Sequence, residues 1–178
     1  MSQINGERAF LPVRIAVLTV SDTRTLENDK SGDTLVARIE GANHIVAARE
    51  IVKDDVPTLI EQLNIWIADD DIDVVIATGG TGLTGRDVTP EAFAQVQEKE
   101  IPGFGELFRW ISYQKIKTST IQSRATAGLA NGTYLFALPG STGACKDGWD
   151  DILVHQLDAR TRPCNMVELM PRLKEHLV

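Results

Sequence analysis

The chain has 178 residues, of which 43% are hydrophobic and 24% charged, as in a soluble globular protein large enough to bury one core. Its 25 acidic and 18 basic residues give a formal charge of −7, which argues against broad nucleic-acid binding because such binding needs a basic surface. Apolar runs such as residues 15–18 are too short to cross a bilayer, and the N-terminus lacks a signal-peptide pattern, so we expect a cytoplasmic protein without a membrane partner.

In chain order, the sequence begins with a segment that has no regular apolar pattern. We expect residues 1–12 to be a flexible N-terminal segment, followed by a single α/β domain over residues 13–178. Apolar segments rich in β-branched residues then predict buried strands. These strands are predicted at residues 15–20, 45–52, 74–77 and 134–138.

Helical patterns lie between the predicted strands. Residues 34–39 predict a helix closed by Gly41. The apolar spacing of residues 59–67 predicts a second helix, with Pro57 in its first turn.

The second half of the chain is less regular. Thr89-Pro90-Glu91 predicts a helix start whose N-cap is the threonine hydroxyl, and a further helix is expected from Lys146 onward. Residues 102–133 are the least legible part, and two short helices are predicted there around residues 119–128.

Strands that alternate with helices predict a mostly parallel sheet with helices on both faces. In such sheets ligands bind beyond the carboxyl ends of the strands. The segments that follow the four predicted strands hold small residues, hydroxyls and carboxylates, so we expect them to form one site. They are Ser21-Asp22-Thr23-Arg24, Lys53-Asp54-Asp55, Thr78-Gly79-Gly80-Thr81-Gly82 and Pro139-Gly140-Ser141-Thr142-Gly143.

Residues 78–82, called the glycine loop below, predict a phosphate site. Gly79, Gly80 and Gly82 allow the backbone to wrap closely around an anion, while Thr78 and Thr81 add hydroxyl donors. The alternative is a tight turn that needs only flexibility. We favour phosphate binding, because a simple turn does not need so many glycines and threonines.

A competing motif overlaps the glycine loop. Gly80, Gly82 and Gly85 satisfy the dinucleotide fingerprint G-x-G-x-x-G, which would indicate a nicotinamide-dependent oxidoreductase. In that fingerprint the helix begins within the glycines, whereas the helix start here is predicted at Thr89. A Walker-type P-loop is also disfavoured, because no Gly-Lys-Ser/Thr follows these glycines.

Carboxylates follow two of the predicted strands. Asp54 and Asp87 would repel a phosphate ligand unless a cation lay between them, and Mg²⁺ takes carboxylate, water and phosphate oxygens. Spacing alone leaves Asp54 open between a metal ligand and a helix cap, while Asp55 is better explained as a cap. Asp87 could instead cap a turn, but its closeness to the glycine loop favours a functional role.

Other polar residues give weaker signals. Pro139-Gly140-Ser141, called the Pro-Gly loop below, suits a second phosphate, although an ordinary strand-to-helix turn would look similar. Arg124 could clamp an anion, with a surface salt bridge as the default. Cys145 and Cys164 form no metal-binding pattern and are expected to be structural thiols.

Taken together, these motifs resemble the MoaB/MogA family of molybdenum-cofactor biosynthesis, related to the G domains of plant Cnx and gephyrin. The resemblance covers residues 13–165, and the C-terminal motif is similar to MoaB. The motifs are Leu18-Thr19-Val20-Ser21-Asp22, the glycine loop, Asp87-Val88-Thr89-Pro90-Glu91, Pro102-Gly103-Phe104-Gly105-Glu106, Leu138-Pro139-Gly140-Ser141 and Leu157-Asp158-Ala159-Arg160-Thr161-Arg162-Pro163-Cys164-Asn165.

The resemblance implies a three-layer α/β sandwich that assembles as a trimer or a hexamer. It also implies adenylyl transfer from ATP to molybdopterin with Mg²⁺, with Asp54 and Asp87 as the catalytic and metal-binding aspartates. Substrate and phosphate contacts would come from Ser21, the glycine loop and the Pro-Gly loop. Some MoaB members are thought to have lost the activity, so a carrier or scaffold that binds molybdopterin without transferring AMP is the alternative.

The segment after the glycine loop bears on this alternative. Arg86-Asp87-Val88-Thr89-Pro90 is kept as in active members of the family, which favours an enzyme. Lys53 stands where proline is common in MogA-like members, directly before Asp54.

Overall fold

The computed structural model describes residues 3–175, which form a six-stranded sheet and a separate two-stranded ribbon. The strands are β1 Gln3–Ile4, β2 Arg14–Val20, β3 Ile45–Val52, β4 Val74–Thr78, β5 Lys99–Glu100, β6 Thr126–Ala130, β7 Thr133–Leu138 and β8 Thr161–Arg162. The helices are α1 Lys30–Gly41, α2 Val56–Ile67, α3 Thr89–Val96, α4 Pro102–Ile116, α5 Thr142–Gly148 and α6 Val154–Gln156, with 3-10 helices at Lys117–Gln122 and Val167–Arg172 and a π-helical turn at Trp149–Leu153. Among these helices, none combines the length and apolarity that a membrane span requires.

The large sheet is mostly parallel, as predicted. Its strand order is β3-β2-β4-β7-β6-β5, in which β3, β2, β4 and β7 pair in parallel and β6 and β5 pair antiparallel. The four parallel strands are the four that the sequence predicts. Thr19 pairs with Thr78, and Thr78 pairs with Leu138, so β2, β4 and β7 end at nearly the same level.

Two apolar clusters lie on opposite faces of this sheet. Alternate residues of β2 divide between them, because successive side chains of a strand point to opposite faces. Ile15 and Val17 join the cluster that includes α1, α4 and α5, whereas Ala16 and Leu18 join the cluster that includes α2 and α3. This arrangement confirms the predicted three-layer sandwich.

Two helices begin earlier than the sequence pattern predicts. Asp29 caps α1 by accepting a hydrogen bond from the Gly32 N–H at 3.0 Å, and Ser141 caps α5 by accepting from the Ala144 N–H at 3.1 Å. These first turns contain glycine and serine or threonine, which resemble loop residues in the sequence. α1 ends at Gly41 as predicted, but Gly41 is the last helical residue and the left-handed residue beyond the helix is Asn43, with φ 63°.

The prediction for residues 119–128 is wrong. That region holds a 3-10 helix and then β6, after the 15 residues of α4. Three of the five residues of β6 are alanine or glycine, which have little strand preference, and its pairing with β7 and β5 overrides that local weakness.

The described part of the N-terminal segment makes contacts. β1 pairs with β8, and the Asn5 N–H donates to the Arg160 carbonyl at 2.9 Å. The flexibility of residues 1–12 stays a prediction, since it concerns motion. Residues 1–2 of the predicted N-terminal segment and residues 176–178 of the predicted domain lie outside the described residues.

Candidate active site at the carboxyl ends of the parallel strands

The segments that follow the four parallel strands meet at one edge of the sheet. A Cβ placed on Gly140 would lie 3.2 Å from the Gly79 Cα, so the Pro-Gly loop packs directly on the glycine loop. A Cβ placed on Gly80 would lie 2.9 Å from Oδ1 of Asp54. The structure therefore places two of the other three predicted segments directly against the glycine loop.

The backbone of the glycine loop requires its glycines. Gly79 and Gly80 have φ values of 111° and 63°, in the left-handed region that disfavours side chains. Thr89 fastens the loop, since its hydroxyl donates to the Gly79 carbonyl at 2.8 Å and its N–H donates to the Gly80 carbonyl at 3.0 Å. The prediction that the Thr89 hydroxyl is the N-cap of α3 is wrong. Thr89 is the first residue of that helix, and the N-cap position is Val88.

The two threonines of the glycine loop are buried. The Thr78 hydroxyl donates to the Pro139 carbonyl at 3.2 Å and lies 3.1 Å from Sγ of Cys145. Because the proton of this buried hydroxyl is used inside the protein, the geometry does not support the predicted hydrogen bond from Thr78 to a phosphate. Thr81 is 2% exposed and lines a cavity together with Gly82.

Asp54 lies beside the glycine loop and does not cap a helix. The cap of α2 is Asp55, whose carboxylate accepts from the Thr58 N–H at 3.1 Å, which confirms the prediction for Asp55. Burial raises the pKa of Asp54, and repulsion from Asp22 and Asp87 adds to this effect. The nearby Arg86 guanidinium offsets part of this repulsion, so burial remains the largest cause of the raised pKa.

The structure shows one of the two roles that the sequence left open for Asp87, and the functional role stays a prediction. Its Oδ2 accepts from the Thr84 N–H at 2.8 Å and from the Thr84 hydroxyl at 2.7 Å, so it caps a turn. The same oxygen would lie 2.7 Å from a Cβ on Gly82, so the carboxylate also lies against the glycine loop. Partial burial opposes its ionisation, but the hydrogen bonds from Thr84 outweigh that effect and lower the pKa of Asp87.

An exposed ion pair that the sequence motifs do not predict lies beside Asp54. Nε of Arg86 donates to Oδ2 of Asp22 at 3.0 Å, and its Nη2 donates to Oδ1 at 2.7 Å. The Asp54 N–H also donates to Oδ1 of Asp22, at 3.3 Å. Hydrogen bonding from Arg86 lowers the pKa of Asp22. The only signal in the sequence was that Arg86 and Asp22 each adjoin a predicted site residue.

The remaining predicted residues form turns at the same edge. The Ser21 hydroxyl accepts from the Arg24 N–H at 3.2 Å, and Ser141 caps α5, so each oxygen accepts a bond and its proton is left for another acceptor. Nη2 of Arg24 donates to the Gly140 carbonyl at 2.8 Å and thereby holds the Pro-Gly loop.

A buried carboxylate anchors Arg24. Asp29 has a fully buried side chain that lies 3.4 Å from Nη1 of Arg24 and 3.0 Å from Nη2 of Arg49. Burial disfavours its charge, but hydrogen bonds, led by the one from the Thr19 hydroxyl at 2.6 Å, lower the pKa of Asp29 overall. The anchor keeps Arg24 directed at the Pro-Gly loop.

Two cavities open at this edge. The basic cavity, of about 480 Å³, lies at the ends of β2 and β3. Its charged lining consists of Arg24, Arg49 and Lys53 together with the acidic Asp22 and Glu50, so cations outnumber carboxylates by one. The apolar cavity, of about 200 Å³, lies at the ends of β4 and β7. It is lined by Thr81, Gly82, Phe108, Ser112, Ile116, Ser119, Gln122, Ser123, Pro139, Ser141 and Ala144.

The carboxylates of Asp54 and Asp87 fit a magnesium ion only as part of its ligand set. Within residues 3–175 no group of three or more His, Cys, Asp or Glu side chains is arranged to hold a metal. Mg²⁺ is commonly bound by one or two carboxylates together with water and substrate phosphates. The raised pKa of Asp54 is consistent with a place for a cation.

The helix position argues against the dinucleotide alternative. α3 begins at Thr89, after a turn that contains Asp87, so no helix starts within the glycines. The fold and this edge define an α/β domain whose candidate ligand site lies beyond the carboxyl ends of parallel strands.

Comparison with known proteins specifies the family. A family model described as "Probable molybdopterin binding domain" matches residues 16–159. The chain is 50% identical over 175 residues to molybdenum cofactor biosynthesis protein B of Escherichia coli strain K12, covering 98% of this chain and 100% of that protein. It is 46% identical over 146 residues to the Bacillus subtilis strain 168 protein of the same name, and the match covers 82% of this chain and 86% of that protein.

Solved structures of cofactor biosynthesis proteins have the same fold as this chain. A crystal structure of molybdenum cofactor biosynthesis protein B superimposes with a TM-score of 0.85 at 38% identity, covering 94% of this chain and 99% of the other. The tungsten cofactor synthesizing protein MoaB from Pyrococcus furiosus gives a TM-score of 0.71 at 36% identity, and the match covers 80% of this chain and 91% of the other. The chain belongs to the MoaB/MogA family of molybdenum-cofactor biosynthesis proteins, which confirms the resemblance found in the sequence motifs.

Proposed function

We propose that this protein is a molybdopterin adenylyltransferase, which transfers AMP from ATP to the terminal phosphate of molybdopterin and releases pyrophosphate. The observation that carries the proposal is the pair of carboxylates against the glycine loop, Asp54 beside Gly80 and Asp87 beside Gly82. Membership of the family supports molybdopterin as one substrate. ATP and Mg²⁺ are proposed from the chemistry of the site.

The two cavities differ in the ligands that they suit. Arg24, Arg49 and Lys53 give the basic cavity cationic groups that can face a nucleotide's phosphates. The apolar cavity combines Phe108 with hydroxyls such as Ser123, a lining that suits a flat heterocycle with polar edges. We therefore place ATP in the basic cavity and the pterin in the apolar cavity, with their phosphates meeting at the glycine loop.

The chemistry needs positioning more than a protein base. An oxygen of the molybdopterin phosphate, already ionised at neutral pH, forms a bond to the α-phosphorus of ATP. The bond between that phosphorus and the oxygen bridging to the β-phosphate breaks, and pyrophosphate leaves with the electron pair. No proton has to be removed from the attacking oxygen.

The residues of the chain divide this work between them. Asp54 and Asp87 would hold Mg²⁺, which supplies positive charge to the phosphates when it is bound. Ser21 and Ser141 each have a hydroxyl proton to donate to a phosphate oxygen. Arg24 holds the Pro-Gly loop through the Gly140 carbonyl and so fixes the position of Ser141.

The pH dependence of nucleotide binding tests the role of Asp54. An aspartate normally has a pKa near 3.9, and a raised pKa makes Asp54 take up a proton at a higher pH, where it stops attracting a cation. We expect Mg²⁺-dependent ATP binding, measured by calorimetry, to weaken as the pH falls, and to begin weakening at a higher pH than the titration of an ordinary aspartate would cause. Asp22→Asn should move this weakening to lower pH, because it removes a repelling charge.

Asp55→Asn is the matched control for the pH experiment. Asparagine can still cap α2, and Asp55 is not one of the groups that raise the pKa of Asp54. The control should keep the wild-type pH profile. Equal profiles in the wild type and in Asp22→Asn would contradict the role given to Asp54.

We also propose that the protein acts in the cytoplasm as a homo-oligomer, a trimer or a hexamer. Large apolar side chains on α4 are exposed, including Trp110 at 65%, and they form a surface that a second copy could cover. They are Leu107, Trp110, Tyr113 and Ile116. Sedimentation of the purified protein would measure the assembly directly.

The deciding experiment incubates the protein with molybdopterin, ATP and Mg²⁺ and separates the products by chromatography. We expect adenylylated molybdopterin and pyrophosphate in equal amounts, and neither when Mg²⁺ is chelated. Binding of molybdopterin without product would refute the enzyme and support the carrier alternative. Binding of NAD(P) with no response to Mg²⁺ and ATP would instead support an oxidoreductase.

A further inference from the structure

Arg124 contacts both ends of the segment that carries Asp87. Its N–H donates to the Thr81 carbonyl at 2.9 Å. Its Nε donates to the Gly82 carbonyl, and its Nη2 donates to the Asp87 carbonyl, each at 2.7 Å. Its Nη1 donates to the carboxylate of Glu91 in the first turn of α3. One residue therefore holds the end of the glycine loop, the Asp87 turn and the start of the next helix together.

The chain around Arg124 also forms part of the apolar cavity. Ser123, directly before it, lines that cavity, and Gly82, whose carbonyl it holds, lines the same cavity from the glycine loop. A ligand that fills the cavity would therefore contact Gly82, which accepts the hydrogen bond, and Ser123, which directly precedes the donor Arg124. The guanidinium of Arg124 also donates a hydrogen bond to the Asp87 carbonyl, so it links the cavity wall to the Asp87 turn.

We propose that Arg124 is a positioning residue that couples the apolar cavity to the Asp87 turn, so that an occupant of the cavity and a Mg²⁺-nucleotide beside Asp87 strengthen each other's binding. This inference rests on the proposed function, because it needs both ligands to bind. Coupling of this kind is reciprocal, since each ligand must change the affinity of the other by the same factor.

A guanidinium suits this task better than an ammonium. Its donors lie in one plane with fixed directions, so it can hold two carbonyls and a carboxylate in a constant relative geometry. Arg124 is about one-third exposed, with 31% of its side-chain surface accessible, so most of the group is fixed within the protein. Moving any one of the partners changes the geometry of the others.

The test compares Arg124→Gln with Arg109→Gln. Arg109 is a matched control, because it is also a partly buried arginine and donates to a backbone carbonyl, that of Ala125 at 3.0 Å, rather than to the glycine loop. The dissociation constant of Mg²⁺ with α,β-methylene-ATP, which cannot transfer AMP, is measured by calorimetry with and without saturating molybdopterin. The kcat and KM values of both variants are measured with ATP.

We expect molybdopterin to tighten nucleotide binding at least about 5-fold in the wild type and in Arg109→Gln. In Arg124→Gln this ratio should approach 1, and kcat should fall about 10-fold with a smaller change in KM. A purely structural role would lower the melting temperature without removing the coupling. The same ratio in Arg124→Gln as in the wild type would overturn the proposal.

Two further outcomes separate this inference from the proposed function. A ratio of 1 in the wild type, with AMP transfer still present, overturns the coupling and leaves the enzyme intact. Failure of the wild type to bind the nucleotide or to transfer AMP overturns both. If Arg124→Gln does not fold, Arg124→Lys keeps the positive charge but loses the planar set of donors that holds the Gly82 and Asp87 carbonyls together, and an unchanged ratio in that variant also overturns the proposal.

Discussion

Replacement of Asp87 by asparagine is expected to reduce AMP transfer by about 10²- to 10³-fold, because it removes a charge where phosphate charge must be neutralised. Asparagine has nearly the same shape, and its carbonyl oxygen can accept the two hydrogen bonds that Thr84 donates to the carboxylate. The turn should therefore persist while the negative charge is lost. The measurement is the rate of pyrophosphate release at saturating ATP and molybdopterin, over a range of Mg²⁺ concentrations.

Thr84→Val separates the charge of Asp87 from the turn that it caps. This variant removes the hydroxyl donor, keeps the N–H donor and keeps the carboxylate, so only a small loss of rate is expected. A full rate in Asp87→Asn would show that the carboxylate acts only as a cap. Equal losses in the two variants would point to the turn rather than to the charge.

Replacement of Gly79 by alanine is expected to lower the free energy of unfolding by about 3–4 kcal/mol and to abolish activity. The residue has φ 111°, and an added Cβ would lie 2.2 Å from the Val20 carbonyl oxygen, so the loop must move. That movement would break the hydrogen bond from the Thr89 hydroxyl to the Gly79 carbonyl. Urea unfolding, followed by circular dichroism, gives the change in stability.

Gly143→Ala is the control for this substitution. Gly143 lies in the first turn of α5, and a Cβ there would meet no atom within 4 Å. Alanine has a higher helix propensity than glycine, so this variant should be at least as stable as the wild type. If Gly79→Ala were equally stable, the strained geometry of the glycine loop would be wrong.

The sequence predicts the positions of the parallel strands well, because each contains an apolar run. β2, β4 and β7 are buried as predicted, whereas β3 lies at the edge of the sheet and is partly exposed, so the prediction that it is buried is wrong. β6 escaped prediction because its sequence, Thr-Ala-Gly-Leu-Ala, has little intrinsic strand preference and becomes a strand through pairing. The starts of α1 and α5 were missed because Asp29 and Ser141 are caps set in segments that look like loops.

The candidate site was predictable as far as topology determines it. Parallel strands bring their carboxyl ends together, so the meeting of Asp54, Asp87 and the glycine loop follows from the strand order. The arginines that hold the loops were not predictable in the same way. Arg24 reaches Gly140 across 116 residues of sequence, and Arg124 reaches Gly82 across 42, and neither pairing leaves a local pattern.

The burial of Cys145, beside Thr78 of the glycine loop, has a practical consequence for labelling. Burial raises the pKa of the Cys145 thiol to about 11, so at neutral pH that sulfur stays protonated, and the sheet shields it from reagents. Cys164, in contrast, is exposed. A maleimide dye added to the native protein would therefore attach at Cys164 alone, and a fluorescent reporter could be placed there without any engineered cysteine.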